Sequence, residues 1–451
     1  MANDQENDLT RFEKISVLFL VAMDFNLFLP LSLTNSAIIQ AFTAYRVTFY
    51  FFVVVLAVQL AKRKGSVVFP GWIVLLLLPV SAMISTYLNE MAFDEEAWYF
   101  SGIEVFHVLM AIIVILTLRS LKSIRLYFDL NVLLSIIFAL VALTDLIHVS
   151  DFSSQYSAVM IQNLVQGQMT TTGIEGSMTR TGALWLDSNN LAYTLGVSIL
   201  YLLFILNTER SNRFNQIYRY SSLILLVSTC LSTLSRGGVI CLMLTVPLLF
   251  ALINLRQFTR TTSKRYVLAM LAIVCLSGML LSGSVTVLLE RLYMATGLVS
   301  TQVAMTGMET GRIDAALLAF DEFLTSPLFG LGAVAKMGWS GTTGNHVGFL
   351  DILGKFGIAG AILNFVFLIV CVNKYRGALT YLKKSKSKDI QMGYFVLIFC
   401  LFLFLQGLFR TVQITHMSAY LLGFSLAVFK LEKAEFNRSP RQVKDSAFAM
   451  R

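Results

Sequence analysis

The sequence predicts an all-α, polytopic membrane protein with about twelve transmembrane helices. Of its 451 residues, 56% are apolar and only 14% are charged, whereas about a quarter of a soluble domain is charged. Many of the apolar residues fall in runs of about 20, the length that crosses a bilayer core. The composition therefore excludes an ordinary soluble enzyme, and a chain with only 6 prolines is not of the disordered or fibrous type.

Twelve apolar runs are long enough to cross a membrane, although the last two are short. No small-residue cleavage site follows the first run, so we interpret it as a retained span and not as a signal peptide. The runs occupy residues 15–34, 37–60, 67–87, 100–118, 126–147, 183–206, 218–235, 237–255, 266–288, 347–372, 392–410 and 416–430. They divide the chain into N-terminal helices at 1–148, a central region at 149–372 with long loops at 149–182 and 289–345, and C-terminal helices with a basic tail at 373–451.

The net charge of +9 is a topology signal, because it lies in every second loop. With the N-terminus inside, 27 of the 35 lysines and arginines fall on the cytoplasmic side, in the segments 11–14, 62–64, 119–125, 210–219, 256–265, 374–388 and 430–451. This alternation follows the positive-inside rule. It predicts a multi-pass membrane protein with both termini in the cytoplasm. Charge that is spread over separate loops also excludes nucleic-acid binding as the main role.

The cysteines offer neither a disulfide framework nor a metal site. All five lie inside apolar runs and none forms a C-x-x-C pair, so they read as small core residues: Cys230, Cys241, Cys275, Cys371 and Cys400.

Eight cations remain outside the cytoplasmic clusters, and ionisable groups at membrane depth are candidates for function. Some of them could simply extend along lipid with their charge at the interface, an alternative that we leave open for Arg46, Arg291 and Arg410. The full set is Arg46, Arg180, Arg236, Arg291, Arg312, Lys336, Lys355 and Arg410.

Two of these arginines, Arg236 and Arg180, lie in polar motifs at predicted outer ends of spans. In STLSRGGVI (232–240), Arg236 stands in a tight re-entry between two spans. Free N–H groups at the start of the next helix, together with the guanidinium, would suit a diphosphate, although a plain hairpin turn is the alternative. In RTGALWLDSNNLAYTLG (180–196), Arg180 precedes a polar patch that would suit a sugar or interhelical hydrogen bonds, namely Asp187, Ser188, Asn189 and Asn190.

The long loop at 289–345 carries two further features. In GRIDAALLAFDEFLTSPLFGLG (311–332), apolar residues recur at helical spacing and Arg312 begins the pattern. This predicts an amphipathic helix that stops before Pro327 and either lies on lipid or covers a cavity. In GTTGNHVGFLDILGKFGIAGAILNF (341–365), His346 precedes a long apolar span within a glycine-rich frame. A lone histidine is more often structural than catalytic, and both readings stay open.

These four segments, in this order, resemble the O-antigen ligase and polymerase family of bacterial membrane proteins, the Wzy-C-type glycosyltransferases. The similar stretches are R-x-G…N-N at 180–190, SRGG at 235–238, GR…SPLFGLG at 311–332 and HVGFLDILGKFGIAG at 346–360. The resemblance covers about residues 180–372. Two positions depart from the family pattern, with Ser188 in place of a frequent proline and Val347 in place of a frequent asparagine.

The resemblance implies a periplasm-facing enzyme whose donor is an undecaprenyl-diphosphate-linked glycan. The acceptor would be a second carbohydrate, either a lipid-linked repeat unit or lipid A-core, and neither a metal nor another cofactor is implied. A chain-length regulator is a further candidate partner. The implied diphosphate ligands are Arg236, Arg312 and Arg180, the implied general base is His346, and Asp187, Asn189 and Asn190 are candidates for glycan binding.

Three functions remain open. A polymerase of O-antigen or capsular polysaccharide and an O-antigen ligase fit every motif, and the His346 segment favours the polymerase. A lipid-glycan flippase or transporter is the alternative from another class. Such folds commonly carry two related halves, and no internal repeat is visible in this sequence.

Overall fold

The structure is a computed structural model that describes residues 9–24, 71–88, 95–146, 174–175, 178–179, 188–209, 211–233, 235–254, 320, 323–331, 348–407 and 414–449. This part of the chain forms ten helices: α1 (Arg11–Asp24), α2 (Trp72–Leu88), α3 (Glu95–Thr117), α4 (Leu121–Leu146), α5 (Ser188–Thr208), α6 (Arg213–Ser232), α7 (Arg236–Asn254), α8 (Gly348–Lys384), α9 (Ile390–Gln406) and α10 (Ile414–Ala449). Two two-residue strands, β1 (Ile174–Glu175) and β2 (Met178–Thr179), pair antiparallel.

The predicted all-α class is confirmed, and the fold is that of a helical membrane protein. Within the described residues, four helical segments are long and apolar enough to cross a bilayer, namely Leu121–Leu143, Leu191–Thr208, Ile352–Lys384 and Ile414–Glu432. Shorter apolar helices accompany them at Trp72–Leu88, His107–Thr117, Gly238–Ile253 and Ile390–Gln406. The count of twelve spans stays a prediction, and the runs 37–60 and 266–288 lie outside the described residues.

Helix bounds differ from the apolar runs where polar residues extend a helix beyond the run. Helix α6 begins five residues before the predicted run, because Asn212 caps it by accepting a hydrogen bond from the N–H of Asn215 at 2.9 Å. Helix α8 continues to Lys384, twelve residues beyond the predicted end. Hydropathy marks the part of a helix that suits lipid, whereas the helix itself ends where its backbone is capped.

The helices pack in a bundle with α5 against α4, α6 and α7, and with α8 against α2 and α10. Helix α9 contacts α7 and α10, and α10 also packs on α3. An aromatic core joins α4, α5 and α9 around the buried Phe128, whose ring lies 5.3 Å from that of Tyr201 and 4.8 Å from that of Phe395. The four described cysteines are buried and free, as expected of small core residues.

Candidate functional site

Helix α8 is broken near its N-terminus, and the segment after the predicted amphipathic helix fills the break. Gly357 has φ 61° and ψ −161°, a backbone conformation that is open essentially to glycine alone. The N–H groups of Ile358 and Ala359 donate to the carbonyls of Pro327 and Leu328, at 2.8 and 3.0 Å. Two backbone donors that the break removes from the helix are thereby satisfied, as burial in an apolar bundle requires.

The segment that packs on the break in α8 contains a second glycine with a positive φ. Leu331 donates its N–H to the carbonyl of Gly354 at 2.8 Å, and Gly330 has φ +70°. A Cβ at Gly330 would lie 2.4 Å from the carbonyl carbon of Lys355, and one at Gly357 would lie 2.6 Å from the carbonyl of Leu328. We call residues 327–331 and 354–359 the glycine junction. Two of the four motifs therefore meet backbone to backbone.

A third element closes the glycine junction. Ser85 of α2 is fully buried, and its hydroxyl lies 3.0 Å from the carbonyl oxygen of Gly330 and 3.2 Å from that of Lys355. Its hydrogen bond is thus shared between the two backbone segments of the junction, 327–331 and 354–359. No sequence pattern singled out Ser85, because a serine near the end of an apolar run gives no signal of a partner some 250 residues away.

The other two motifs also meet. Helices α6 and α7 are joined by only three residues, so the chain turns tightly within the motif at 232–240, and the assignment of both helices as membrane spans stays a prediction. Gly238 packs on the start of α5 so closely that a Cβ there would lie 2.9 Å from the Cβ of Ala192. The segment that contains SRGG therefore contacts the helix that contains Asn189 and Asn190.

The start of α7 corrects one expectation. Its first-turn N–H groups were expected to be free for a diphosphate, but the Oγ of Ser235 accepts a hydrogen bond from Gly238 N–H at 3.3 Å. Ser235 is the N-cap of α7, so at least one of these donors is already used.

The structure locates only some of the predicted site residues. Arg236 is the first residue of α7, and Asn189 and Asn190 lie in the first turn of α5. The remaining four lie outside the described residues: Arg180, Asp187, Arg312 and His346. His346 precedes the first residue of α8 by two positions, and Arg312 precedes the described segment 323–331 by eleven.

The predicted amphipathic helix is described only at its end. Residues 323–325 are helical, and the chain turns at 326–329, so the predicted stop before Pro327 is confirmed. Phe320 and Leu324 belong to the predicted apolar stripe, and both are exposed, at 46% and 56%. These two members of the stripe do not form part of the protein core.

Charged side chains gather at the opposite end of the bundle. Arg219 pairs with Glu209 at 2.9 Å, and Arg125 lies 3.7 Å from both Glu209 and Asp389. We call these four residues the ionic cluster. The four residues lie within, or one residue outside, three segments that the positive-inside rule assigned to the cytoplasmic side, at 119–125, 210–219 and 374–388. About 40 Å of helix α8 separates the glycine junction from this cluster, and α5 and α6 each run from a motif to the cluster.

Several polar side chains inside the bundle contact one another across helices. The hydroxyls of Tyr127 and Tyr420 lie 2.7 Å apart, and the ring of His416 stacks on Tyr420 with centroids 5.9 Å apart. Tyr201 donates its hydroxyl to Asp129 at 3.0 Å. These contacts join α4, α5 and α10, which is the ordinary means of accommodating polar groups in an apolar bundle.

No protein-family model matches this chain, and no curated protein matches it. Function is therefore inferred from the motifs themselves and from how the fold arranges them.

Proposed function

We propose that this protein is a glycosyltransferase of the inner membrane that uses an undecaprenyl-diphosphate-linked glycan as donor on the periplasmic side. The most fitting activity is that of a polymerase joining the repeat units of O-antigen or capsular polysaccharide. One observation carries the proposal. The described parts of all four motif segments lie at one end of the bundle and contact each other in pairs, whereas the ion-paired basic loops lie at the other end.

The chemistry of the motif residues supports the same activity. A diphosphate leaving group carries its own charge, so catalysis needs fixed cations where negative charge develops. Arg236 is held at the start of a capped helix, and Arg312 and Arg180 are proposed to join it on the diphosphate. A sugar hydroxyl is a weak nucleophile, and His346 is proposed as the base that removes its proton during attack. Attack from the face opposite the leaving group would invert the anomeric centre.

Asp187, Asn189 and Asn190 are proposed to bind the glycan. Asn189 and Asn190 stand in the first turn of α5, close in sequence to the packing contact between Ala192 and Gly238. Amide and carboxylate groups offer both donors and acceptors to sugar hydroxyls. The reaction as proposed uses neither a metal nor a cofactor.

Deleting this gene alone tests the proposal and separates its forms. We expect single repeat units on undecaprenyl diphosphate to accumulate at the outer leaflet, because the step that joins them is missing. Accumulation of long lipid-linked polymer would instead identify an O-antigen ligase that transfers finished polymer to lipid A-core. Absence of any glycan accumulation at the outer leaflet would contradict both activities.

The role of His346 is tested by complementing the deletion with His346→Ala. We expect no polymer from this variant at normal protein level, because no other group replaces the base. His148→Ala removes a histidine outside the motif segments and is the matched control, with polymer expected at the wild-type level. Full activity of His346→Ala would remove this residue from the mechanism.

A lipid-glycan flippase is the second candidate, and the broken helix α8 is the observation that favours it. Discontinuous helices line the substrate sites of many transporters. In the described residues, however, the break is filled by the backbone of residues 327–331 and lies near one end of the bundle. Deletion of a flippase would leave the lipid-linked glycan at the inner leaflet, which the same experiment detects.

A further inference from the structure

The N-terminal helices carry no motif of the resemblance, yet one of them reaches the glycine junction. Ser85 contributes two side-chain contacts between α2 and the junction, from its hydroxyl to the carbonyls of Gly330 and Lys355. Its hydroxyl contacts Gly330, in the segment that follows Arg312, and Lys355, in the helix that follows His346. A side chain in this position can fix the distance between two parts of a site without touching substrate.

We infer that Ser85 is a positioning residue of the glycosyl-transfer site. The inference rests on the proposed function and adds to it a role for the N-terminal region. By bridging the carbonyls of Gly330 and Lys355, Ser85 sets the angle at which the first part of α8 leaves the break.

The geometry of α8 makes that angle consequential. The helical part before the break, residues 348–356, extends about 13 Å at 1.5 Å per residue. A rotation of about 10° at the break would displace its first residue by about 2 Å. His346 lies two residues before that end, and a misplacement of about 1 Å can reduce a rate by about a hundredfold.

The same contacts bear on Arg312. The chain from Arg312 leads within fifteen residues to Pro327, whose carbonyl accepts the N–H of Ile358 at 2.8 Å. Loosening the junction would therefore change the position of the proposed base relative to the proposed diphosphate ligand. Binding of the donor would be affected less, since Arg236 and Arg180, two of the three proposed diphosphate ligands, belong to the other pair of motifs.

Ser85→Ala tests the inference, with Ser81→Ala as matched control. Ser81 stands one turn earlier on α2, and its hydroxyl donates to the carbonyl of Leu78 in its own helix at 2.7 Å. Each full-length variant is purified, and transfer of the undecaprenyl-diphosphate-linked glycan that accumulates in the deletion strain is measured per folded molecule. We expect Ser85→Ala to lower kcat about tenfold with KM for the donor changed less than about twofold. Ser81→Ala and the wild type should be equal.

A second measurement needs no substrate. Hydrogen exchange at the amides of Leu331, Ile358 and Ala359 reports the junction directly, and we expect faster exchange in Ser85→Ala alone. Ser85→Thr retains the hydroxyl and should restore both slow exchange and most of kcat. This rescue separates the loss of a hydrogen bond from a general loss of fold.

Several results would overturn the inference. Equal kcat in Ser85→Ala and Ser81→Ala would show that the bridge does not position the site. Unchanged exchange would show that Ser85 does not hold the junction. A wild-type protein that transfers no glycan would remove the proposed function and the role of Ser85 with it. That failure is distinguishable, because the comparison of kcat values requires an active wild type and the exchange measurement needs no substrate.

Discussion

The two ends of the bundle are held together by different physical means. At one end, four charged side chains join three loops, and two of the three ion pairs have a long separation of 3.7 Å. At the other end, backbone meets backbone at Gly330 and Gly357, with no space for a Cβ. Long side chains tolerate small shifts, whereas a contact between main chains does not.

This difference indicates which end has to be rigid. Two backbone segments that pack with no side chain between them can adopt only one relative geometry. An active site needs such pre-organisation. Flexible, partly exposed ion pairs contribute little to stability, and the arginines among them also belong to the Lys/Arg bias that sets the orientation of a membrane protein. The comparison therefore predicts large effects of small changes at the glycine junction and small effects of large changes at the ionic cluster.

Gly357→Ala is expected to have the largest effect. The methyl group would lie 2.6 Å from the Leu328 carbonyl, at a φ that disfavours any residue with a Cβ. We expect a loss of about 3 kcal/mol or more, measured as a lower Tm of the purified protein and as loss of transfer activity. Gly377→Ala is the matched control on the same helix, because a Cβ there would lie 3.6 Å from the Cζ of Phe429, an ordinary van der Waals distance. An equal Tm for the two variants would contradict a rigid junction.

Gly238→Ala is expected to be intermediate. Its methyl would lie 2.9 Å from the Cβ of Ala192, but here the glycine is helical, so alanine gains about 1 kcal/mol of helix propensity. Overpacking costs about 1–3 kcal/mol, which leaves a net loss of about 1 kcal/mol in the free energy of unfolding. Adding Ala192→Gly should restore the Tm, because the double variant moves the methyl from α5 to α7. Failure of this rescue would show that α5 and α7 do not pack as described.

The sequence was sufficient for elements that depend on local pattern. Apolar runs located the starts of the described helices to within five residues, whereas α8 and α10 end twelve and nineteen residues beyond their runs. The SRGG motif located the short turn before α7. The break in α8 was not predicted, because the run at 347–372 is continuous in hydropathy and a glycine inside a helix is common enough. Gly354, Gly357 and Gly360 together were the available signal.

Long-range partners could not be predicted from the sequence. Ser85 joins Gly330 across the fold, and Glu209 joins Arg125, which lies 84 residues earlier in the chain. Single residues of common types give no indication of such pairing. For the candidate site, the sequence supplied the motif residues, and the fold added which motifs touch.

Arg219→Ala is expected to have the smallest effect that is still measurable. Its side chain is 17% exposed and pairs with Glu209 at 2.9 Å, and its Nη1 also lies 3.5 Å from the carbonyl of Ile205. We expect a loss of about 1 kcal/mol, seen as a lower Tm at low salt and reduced at 1 M salt by screening. Arg125→Ala is the matched comparison, since that side chain is 46% exposed and both its pairs are 3.7 Å long.

We expect no measurable change in Tm for Arg125→Ala, because an exposed pair gains little over its hydrated ions. Polymer formation in cells should persist in both variants, since the cluster is far from the motif segments. If Arg125→Ala lowered the Tm more than Arg219→Ala, or if either abolished transfer at normal protein level, the contrast between the two ends would be wrong. The ionic cluster would then require the same rigidity as the glycine junction, and its charges would belong to the functional machinery.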